Sequence, residues 1–174
     1  MRNPKQISSL VFLLAAVFPL VLLLFAPLTP VQGGNVDPAT AVCNFADAKQ
    51  VSIRYVPSIT KDAPRIGKLW TPDGHPILLF TETDLHVGNS DVASGAYSIY
   101  LVPDKDMWTL ILNRNVASGA YDERQDLLRA RMQTGELSEK NTQFTIYFGR
   151  IGPKACDMRV DYGKTRAWVE FAEK

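Results

Sequence analysis

The stretch SGAYSIYLVPDKDMWTLILN, residues 94–113, decides the fold class. Apolar and polar side chains alternate over 96–102 and again over 107–113, with Trp108 in the apolar phase of the second run. A period of two residues is typical of a half-buried β-strand. Residues 103–106, PDKD, are turn-forming types, so the whole stretch predicts an antiparallel hairpin.

The same alternation continues through most of the chain after residue 34. The runs lie roughly 8–12 residues apart and are separated by turn residues, with at most one helical turn over 122–127, capped by Asp122. This pattern predicts an all-β protein, an antiparallel β-sandwich of about nine or ten short strands. The predicted strands are 42–46, 50–56, 77–82, 85–87, 96–102, 107–113, 128–133, 142–149, 155–162 and 165–171.

The phase of the alternation also predicts the core. A slip of one residue would turn every side chain of a strand to the other face, so the prediction is easily tested. The side chains expected inside are Ile99, Trp108, Leu110, Phe144, Ile146, Phe148, Val160 and Val169. In the run 155–162, Tyr162 is expected inside and Asp161 outside.

A charge-free apolar run, LVFLLAAVFPLVLLLFAPL over residues 10–28, follows Arg2 and Lys5. A positive N-terminus before such a run predicts export of the rest of the chain, to the periplasm or the extracellular space. The run exceeds the roughly 7–15 residues of a signal-peptide core and approaches the roughly 20 that span a bilayer. Residues 1–33 are therefore either a signal peptide, cleaved between about 32 and 35, or an inner-membrane anchor. A single domain over 34–174 follows in both cases.

Charge and length restrict the function classes. The chain carries 19 Lys+Arg and 18 Asp+Glu, and removal of Arg2 and Lys5 would leave 17 against 18. Nucleic-acid binding needs a concentrated basic face, so we expect no nucleic-acid partner. The membrane would be contacted only through residues 10–28, if that segment stays uncleaved.

The chain has two cysteines, Cys43 and Cys156, both in the apolar phase of a strand. An even count in an exported chain predicts a disulfide, and two buried thiols are the alternative. With two Cys and two His, and no metal-ligand spacing, the sequence predicts neither a metal site nor a cofactor.

Glu82, Asp84 and His86 lie at positions i, i+2 and i+4, which share one face of a continuous strand. Two carboxylates and an imidazole are able to hold a divalent metal, but a solvated strand edge is the simpler interpretation. His75, in the turn sequence DGHP, has the chemistry of a general base. No nucleophile motif such as G-x-S-x-G accompanies His75, so an ordinary turn histidine is the simpler interpretation.

Aromatic residues outside the core phase are candidates for ligand contact. Trp70 lies at the end of a long loop, Trp168 is out of phase with its apolar neighbours, and Tyr100 and Tyr121 accompany polar residues. Exposed rings on a β-sandwich stack on sugars or cover a partner surface. The alternative is that they pack under the loop 57–69.

Charged residues alternate on the outward faces of the later strands. The pattern indicates a cross-strand charge ladder, and an anion site built from the arginines is the alternative. The residues concerned are Arg129, Arg131, Arg159, Arg166, Asp157, Asp161 and Glu170.

The order of these segments resembles the domain of unknown function 2911 family of exported bacterial proteins. The resemblance rests on QVSIRYVPS (50–58), TETDLHVGN through the hairpin ending at 113 (81–113), YDERQDLLRARM (121–132), QFTIYFGR (143–150) and CDMRVDYGKTRAWVEF (156–171). It implies an antiparallel β-sandwich and brings no assigned activity. Many members carry a W-R-T-G-A-N-like segment where this chain reads KLWTPDGHPILLF (68–80), so any activity of that segment is not expected here.

The sequence therefore predicts an exported, non-catalytic binding or scaffolding module. Its partner would be a small molecule, a glycan or an envelope protein. The alternative is a metal-dependent or hydrolytic enzyme using His75, Glu82, Asp84 and His86, and a membrane-tethered structural domain is a third possibility. A site, if present, is expected on loops of the rigid sheet. Its candidate ligand-binding residues are Trp70, His75, Glu82, Asp84, His86 and Tyr121.

Overall fold

A computed structural model describes residues 37–59, 64–117 and 121–174. Within these ranges the chain forms nine β-strands and two short 3-10 turns, and no α-helix. The strands are β1 (Ala39–Asn44), β2 (Gln50–Tyr55), β3 (Ile77–Thr81), β4 (Leu85–Val87), β5 (Ser90–Val92), β6 (Gly95–Val102), β7 (Trp108–Asn113), β8 (Asp126–Gly152) and β9 (Ala155–Glu173). The 3-10 turns are Pro72–Gly74 and Glu123–Gln125. The expected export segment, residues 1–33, lies outside the described residues.

The nine strands form one antiparallel sheet in the order β1-β2-β3-β6-β7-β8-β9-β4-β5. The hairpin expected over 94–113 is present, with Ser98 opposite Asn113 and Val102 opposite Thr109. The all-β antiparallel prediction is therefore confirmed. The two layers expected of a sandwich are parts of a single sheet, because β8 pairs with β7 through its first residues and with β9 through its later ones. Among the described residues, no helix has the length and apolarity needed to cross a membrane.

β8 and β9 each cover two of the strands expected from the sequence. In β8, pairing with β9 continues through register shifts near Asn141, where a break between 133 and 142 was expected. In β9, the break expected between the strands 155–162 and 165–171 is present as a reversal of the chain direction. Glu173 N donates to Lys154 O at 2.7 Å, although a straight strand of 19 residues would hold its ends about 60 Å apart.

The chain within β9 must therefore reverse direction, and Gly163 is the residue that permits it. Gly163 has φ +61°, between the predicted strands 155–162 and 165–171. A positive φ at the first central position is what a tight two-residue hairpin turn requires. β5, in contrast, lies where the sequence predicted no strand, between 87 and 96. Its residues pair with β4, and only Gly88 and Asn89 turn the chain.

The predicted core is confirmed. Ile99, Leu110, Phe144 and Val160 are fully inaccessible, and the other predicted core residues are buried except Phe148, which packs against the core from its margin. Side chains from both layers belong to one apolar cluster, and Tyr55 of β2 meets Phe144 of β8 edge to face at 5.8 Å. The two layers therefore share a single core.

The predicted disulfide is present. Cys43 of β1 and Cys156 of β9 are bonded, with their Cα atoms 6.5 Å apart and 3% exposure each. The bond joins the edge strand of one layer to the other layer across the core. The cysteines are 113 residues apart in the sequence, so the bond closes most of the domain into one covalent loop.

The charge ladder is present only in part. Arg166 pairs with Asp161 at 2.8 Å, whereas Arg159 pairs with Asp157 at 3.3 Å, a neighbour two residues away on the same run of β9 rather than a cross-strand partner. Asp161 was expected to be exposed, but its residue exposure is only 7% because Arg166 and Tyr147 cover it. Arg129 binds Glu123 and Asp126 instead of a cross-strand partner.

Candidate functional site

A cavity of about 320 Å³ opens between the 3-10 turn Pro72–Gly74 and the outward side of β6. This volume is at the lower end of the roughly 300–1,000 Å³ found for small-molecule sites. None of its described lining residues is Asp, Glu, Lys or Arg. The lining consists of Leu69, Thr71, Gly74, His75, Pro76, Ile77, Ser98, Ile99, Tyr100, Ala117 and Tyr121.

The first wall of the cavity is the tight turn at residues 72–74, whose residue types favour a turn. Pro72 fixes the entry, and Asp73 and Gly74 both have positive φ, +50° and +71°. The backbone N–H groups of Gly74 and His75 donate to the carbonyls of Thr71 and Pro72. This geometry leaves the His75 side chain exposed at the rim of the cavity.

Trp70 anchors this wall to the sheet and does not itself line the cavity. Its backbone exchanges two hydrogen bonds with Leu101, of 2.7 and 3.1 Å. Its ring turns inward and meets Trp108 at 5.9 Å and Phe144 at 5.5 Å, both edge to face. The sequence left two interpretations of Trp70 open, ligand contact or packing under the loop 57–69, and the structure shows the ring packed against Trp108 and Phe144.

The second wall contains two tyrosines. The rings of Tyr100, on β6, and Tyr121 are 4.9 Å apart with an interplanar angle of 65°, so they form an aromatic corner. The Tyr121 hydroxyl donates to Asp126 at 2.7 Å and accepts from Arg129 at 2.7 Å. Burial and, secondarily, the hydrogen bond to Asp126 raise the pKa of Tyr121 to about 12, so its hydroxyl stays protonated near neutral pH.

A buried amide holds the segment that carries Tyr121. Asn113 is completely inaccessible, and its Nδ2 donates to the Asp122 carbonyl and to Asp126 Oδ1. The Asp122 side chain accepts from the backbone N–H of Arg124, which confirms the predicted cap. The segment that carries Tyr121 is therefore fixed by several hydrogen bonds.

Several polar groups at the cavity have hydrogen-bonding capacity to spare. The side chains of Thr71, His75 and Tyr100 have no hydrogen-bond partner among the described residues. Ser98 Oγ donates to the Asn115 carbonyl at 2.6 Å and so keeps its acceptor lone pairs. Burial raises the pKa of Tyr100, so its hydroxyl also remains a donor at neutral pH.

The acidic part of the predicted site is elsewhere and has other partners. Glu82 accepts from the backbone N–H of Gln50 at 3.0 Å, Asp84 from that of Ser94 at 2.8 Å, and His86 Nδ1 lies 3.0 Å from Asp91. All three side chains are exposed, as a solvated strand edge requires. In the described part of the chain, no group of three or more His, Cys, Asp or Glu residues is placed to hold a metal ion.

A second, polar depression of about 290 Å³ lies on the outward side of β8 and β9. Arg131 and the half-buried Trp168 line it, together with Asp157 and Glu170. Two carboxylates in the lining of the same depression disfavour the anion site considered from the sequence. Arg129, Arg159 and Arg166 are each paired with a carboxylate as well.

Of the predicted site residues, the structure therefore brings together His75 and Tyr121. Sequence reasoning included Tyr100 among the aromatic candidates but not among the site residues, and it missed Thr71 and Ser98. Tyr100 and Ser98 lie in the polar phase of β6, which was the available signal. Nothing in that alternation shows which turn will cover them.

Comparison with known proteins gives one match. The model of the family described as "Protein of unknown function (DUF2911)" matches residues 38–171. No curated protein matches the chain. No solved structure matches it.

Proposed function

Since the chain belongs to the DUF2911 family of proteins of unknown function, we propose a function from its geometry: it is a non-catalytic module that binds a small uncharged molecule. The binding site is the cavity between the turn at His75 and the aromatic corner of Tyr100 and Tyr121. A scaffolding role alone would need neither a cavity nor polar groups that are left without partners.

The observation that carries this proposal is the combination of a firmly held cavity with unused hydrogen-bonding groups. Ligand sites are concave, largely preformed, and contain a few polar groups that orient the ligand. Here the turn is fixed to Leu101 through Trp70, and the aromatic corner is fixed through Asp126 and Asn113. Preformed walls reduce the entropy that binding would otherwise lose.

Binding without turnover is favoured by the chemistry of the same groups. Ser98 donates its proton to a carbonyl, not to a base that would activate it as a nucleophile. His75 has neither a carboxylate to orient its ring nor a hydroxyl within hydrogen-bond distance among the described residues. The raised pKa of Tyr121 makes it a poor base near neutral pH.

The proposal places this module outside the cytoplasm. The support is the apolar run 10–28 together with the Cys43–Cys156 disulfide, because disulfides persist mainly in oxidising compartments. The ligand would then be a molecule of the periplasm or of the cell's surroundings.

The test is a ligand-observed NMR screen of uncharged small molecules against the wild type, Tyr100→Ala and Phe80→Ala. Phe80 is a matched control because its ring is exposed (43%) and does not line the cavity. We expect at least one binder, with binding lost in Tyr100→Ala and kept in Phe80→Ala. Absence of any binder, or binding that survives Tyr100→Ala, would reject the proposed site.

A further inference from the structure

We propose that the cavity is built for a neutral sugar ring, a hexopyranose free or at the end of a glycan. This inference rests on the proposed binding function and narrows its ligand to one chemical class. It follows from three properties of the cavity: its charge, the shape of its aromatic wall and the number of its unpartnered polar groups.

The charge of the lining excludes ionised ligands. The described lining residues include no Asp, Glu, Lys or Arg. Asp126 and Arg129, which bind the Tyr121 hydroxyl, are paired with each other at 2.9 Å. A charged ligand would lose hydration without gaining a counter-charge, and such desolvation is costly.

The aromatic corner fits a ring that has an apolar face. Tyr100 and Tyr121 meet at 65° with centroids 4.9 Å apart, so a ligand in the corner contacts one ring while the other stands at its edge. The face of a pyranose presents C–H groups, which pack on an aromatic ring as other apolar groups do. A flat aromatic ligand would fit the corner too, so the polar groups must decide between the two.

The polar groups favour a ligand with several hydroxyls. Tyr100 and Thr71 each offer a hydroxyl that both donates and accepts, Ser98 offers an acceptor, and the His75 ring offers one more hydrogen-bonding nitrogen at the rim. A purely aromatic ligand would bury these groups without partners, at a cost for each. A pyranose carries hydroxyls around its whole edge and is able to satisfy them together.

The experiment titrates the full-length protein by calorimetry with three sets of probes. The first set is neutral sugars: methyl glucoside, methyl galactoside, N-acetylglucosamine, maltose and cellobiose. The second set is their charged counterparts, glucuronate and glucosamine. The third set is the sugar-free aromatics phenol and benzyl alcohol, and each set is run on the wild type, Tyr100→Phe, Tyr100→Ala and Phe80→Ala.

We expect a neutral sugar to bind and its charged counterparts to bind at least about tenfold more weakly, the factor that about 1.4 kcal/mol gives. Loss of one neutral hydrogen bond in Tyr100→Phe should weaken binding about two- to tenfold. Tyr100→Ala should weaken it further, and Phe80→Ala should leave it unchanged. Far-UV circular dichroism of every variant shows that it is folded, and Tyr100→Phe keeps the ring if Tyr100→Ala does not fold.

The outcomes separate this inference from the proposed function. Binding of phenol or benzyl alcohol but no sugar, lost in Tyr100→Ala, would overturn the sugar assignment and leave the binding module intact. Tighter binding of glucuronate or glucosamine would also overturn the sugar assignment. If none of the probes in the three sets binds, the sugar assignment is overturned, and the wider NMR screen then decides the proposed function.

Discussion

At the scale of single residues, the Tyr121 hydroxyl links the candidate site to the stability of the domain. It is the only hydroxyl of the aromatic corner that both donates and accepts within the described structure, to Asp126 and from Arg129. Its pKa is raised from the ordinary value of 10.0 to about 12, chiefly by burial. This shift makes stability depend on pH at the alkaline end.

The sign of that dependence follows from proton linkage. Below pH 10, Tyr121 is protonated in both the folded and the unfolded chain, so its contribution is constant. Between pH 10 and 12 the unfolded chain releases the proton while the folded protein keeps it, so the free energy of unfolding decreases as pH rises. The pKa values of Tyr100 and Tyr147 are also raised and add to the same trend.

We therefore expect the alkaline loss of stability to be smaller in Tyr121→Phe than in the wild type. The phenylalanine keeps the ring beside Tyr100 and removes the titrating group. Urea unfolding at pH 8, 9.5, 10.5 and 11 measures this. At pH 8 the variant should be less stable by about 0.5–1.5 kcal/mol, the net value of a hydrogen bond. Parallel pH curves for the two proteins would contradict the assignment.

A second prediction at this scale tests the phase of β8. Ile146 is 2% exposed, while its neighbour Tyr147 is half-buried on the opposite side of the strand. Ile146→Asp should prevent folding, because an unpaired buried charge costs a large part of the roughly 5–15 kcal/mol that stabilises a domain. Tyr147→Asp should remain folded with reduced stability. Circular dichroism and soluble yield compare them, and similar behaviour of the two variants would mean the phase is wrong.

At the scale of elements, the reversal within β9 depends on Gly163. A Cβ at this position would have nothing within 4 Å, so Gly163→Ala acts only through the positive φ of +61°. The expected loss is about 1–2 kcal/mol, the cost of the left-handed conformation for an L-residue. Gly152→Ala is the control, since its φ is not positive and its nearest neighbour would be 3.9 Å away. We expect a change within about 0.5 kcal/mol there, and equal losses would argue against a turn at Gly163.

The disulfide is the second element-scale feature with a measurable effect. Cys43 and Cys156 close a loop of 113 residues, for which the chain-entropy model gives an upper estimate of about 4–5 kcal/mol. The double variant Cys43→Ala, Cys156→Ala should lose up to this amount in urea unfolding. Reducing agent should destabilise the wild type and leave the double variant unaffected. Two free thiols titrated in denatured, unreduced wild type would contradict the bond.

Strands and core were predictable because they follow from one local rule, the two-residue period of a half-buried strand. The disulfide also needed the even number of cysteines in a chain expected to be exported. The two-residue period placed Ile99, Phe144 and Cys156 inside without knowledge of the strand order. It failed for Asp161, since Arg166 and Tyr147 cover this outward carboxylate through contacts that the period does not describe. It also missed β5, because Ser90 and Asp91 follow Gly88 and Asn89 and are turn-forming residue types.

At the scale of the whole molecule, the candidate site could be predicted only in part. His75 and Tyr121 were predicted as site residues because one is a histidine in a turn and the other an aromatic residue outside the core phase. Tyr100 became a site residue only once β3, β6 and the turn at 72–74 were assembled, since nothing local relates residue 75 to residue 100. Glu82 and Asp84 lie between β3 and β4 and only His86 lies in a strand, so the continuous strand that would align the three is not formed, and each side chain has a different neighbour as its partner.

Export is the other property of the whole chain that can be measured. We expect the mature protein to begin between about Gln32 and Asn35, where the apolar run has ended and the small residues Gly33 and Gly34 follow. Intact-mass measurement of protein recovered outside the cytoplasm gives the cleavage point. Full-length chain in the membrane fraction would instead assign residues 10–28 as an anchor.

The central claim, that the cavity beside Tyr100 is the binding site, is tested most directly by locating a bound ligand. An amide-resolved NMR titration with the best neutral sugar does this without assuming a mechanism. We predict saturable shifts concentrated at Thr71, Gly74, His75, Ser98 and Tyr100, and no saturable change around Trp168 and Arg131. Shifts that centre on the depression at Trp168, or that scatter without saturation, would contradict the account.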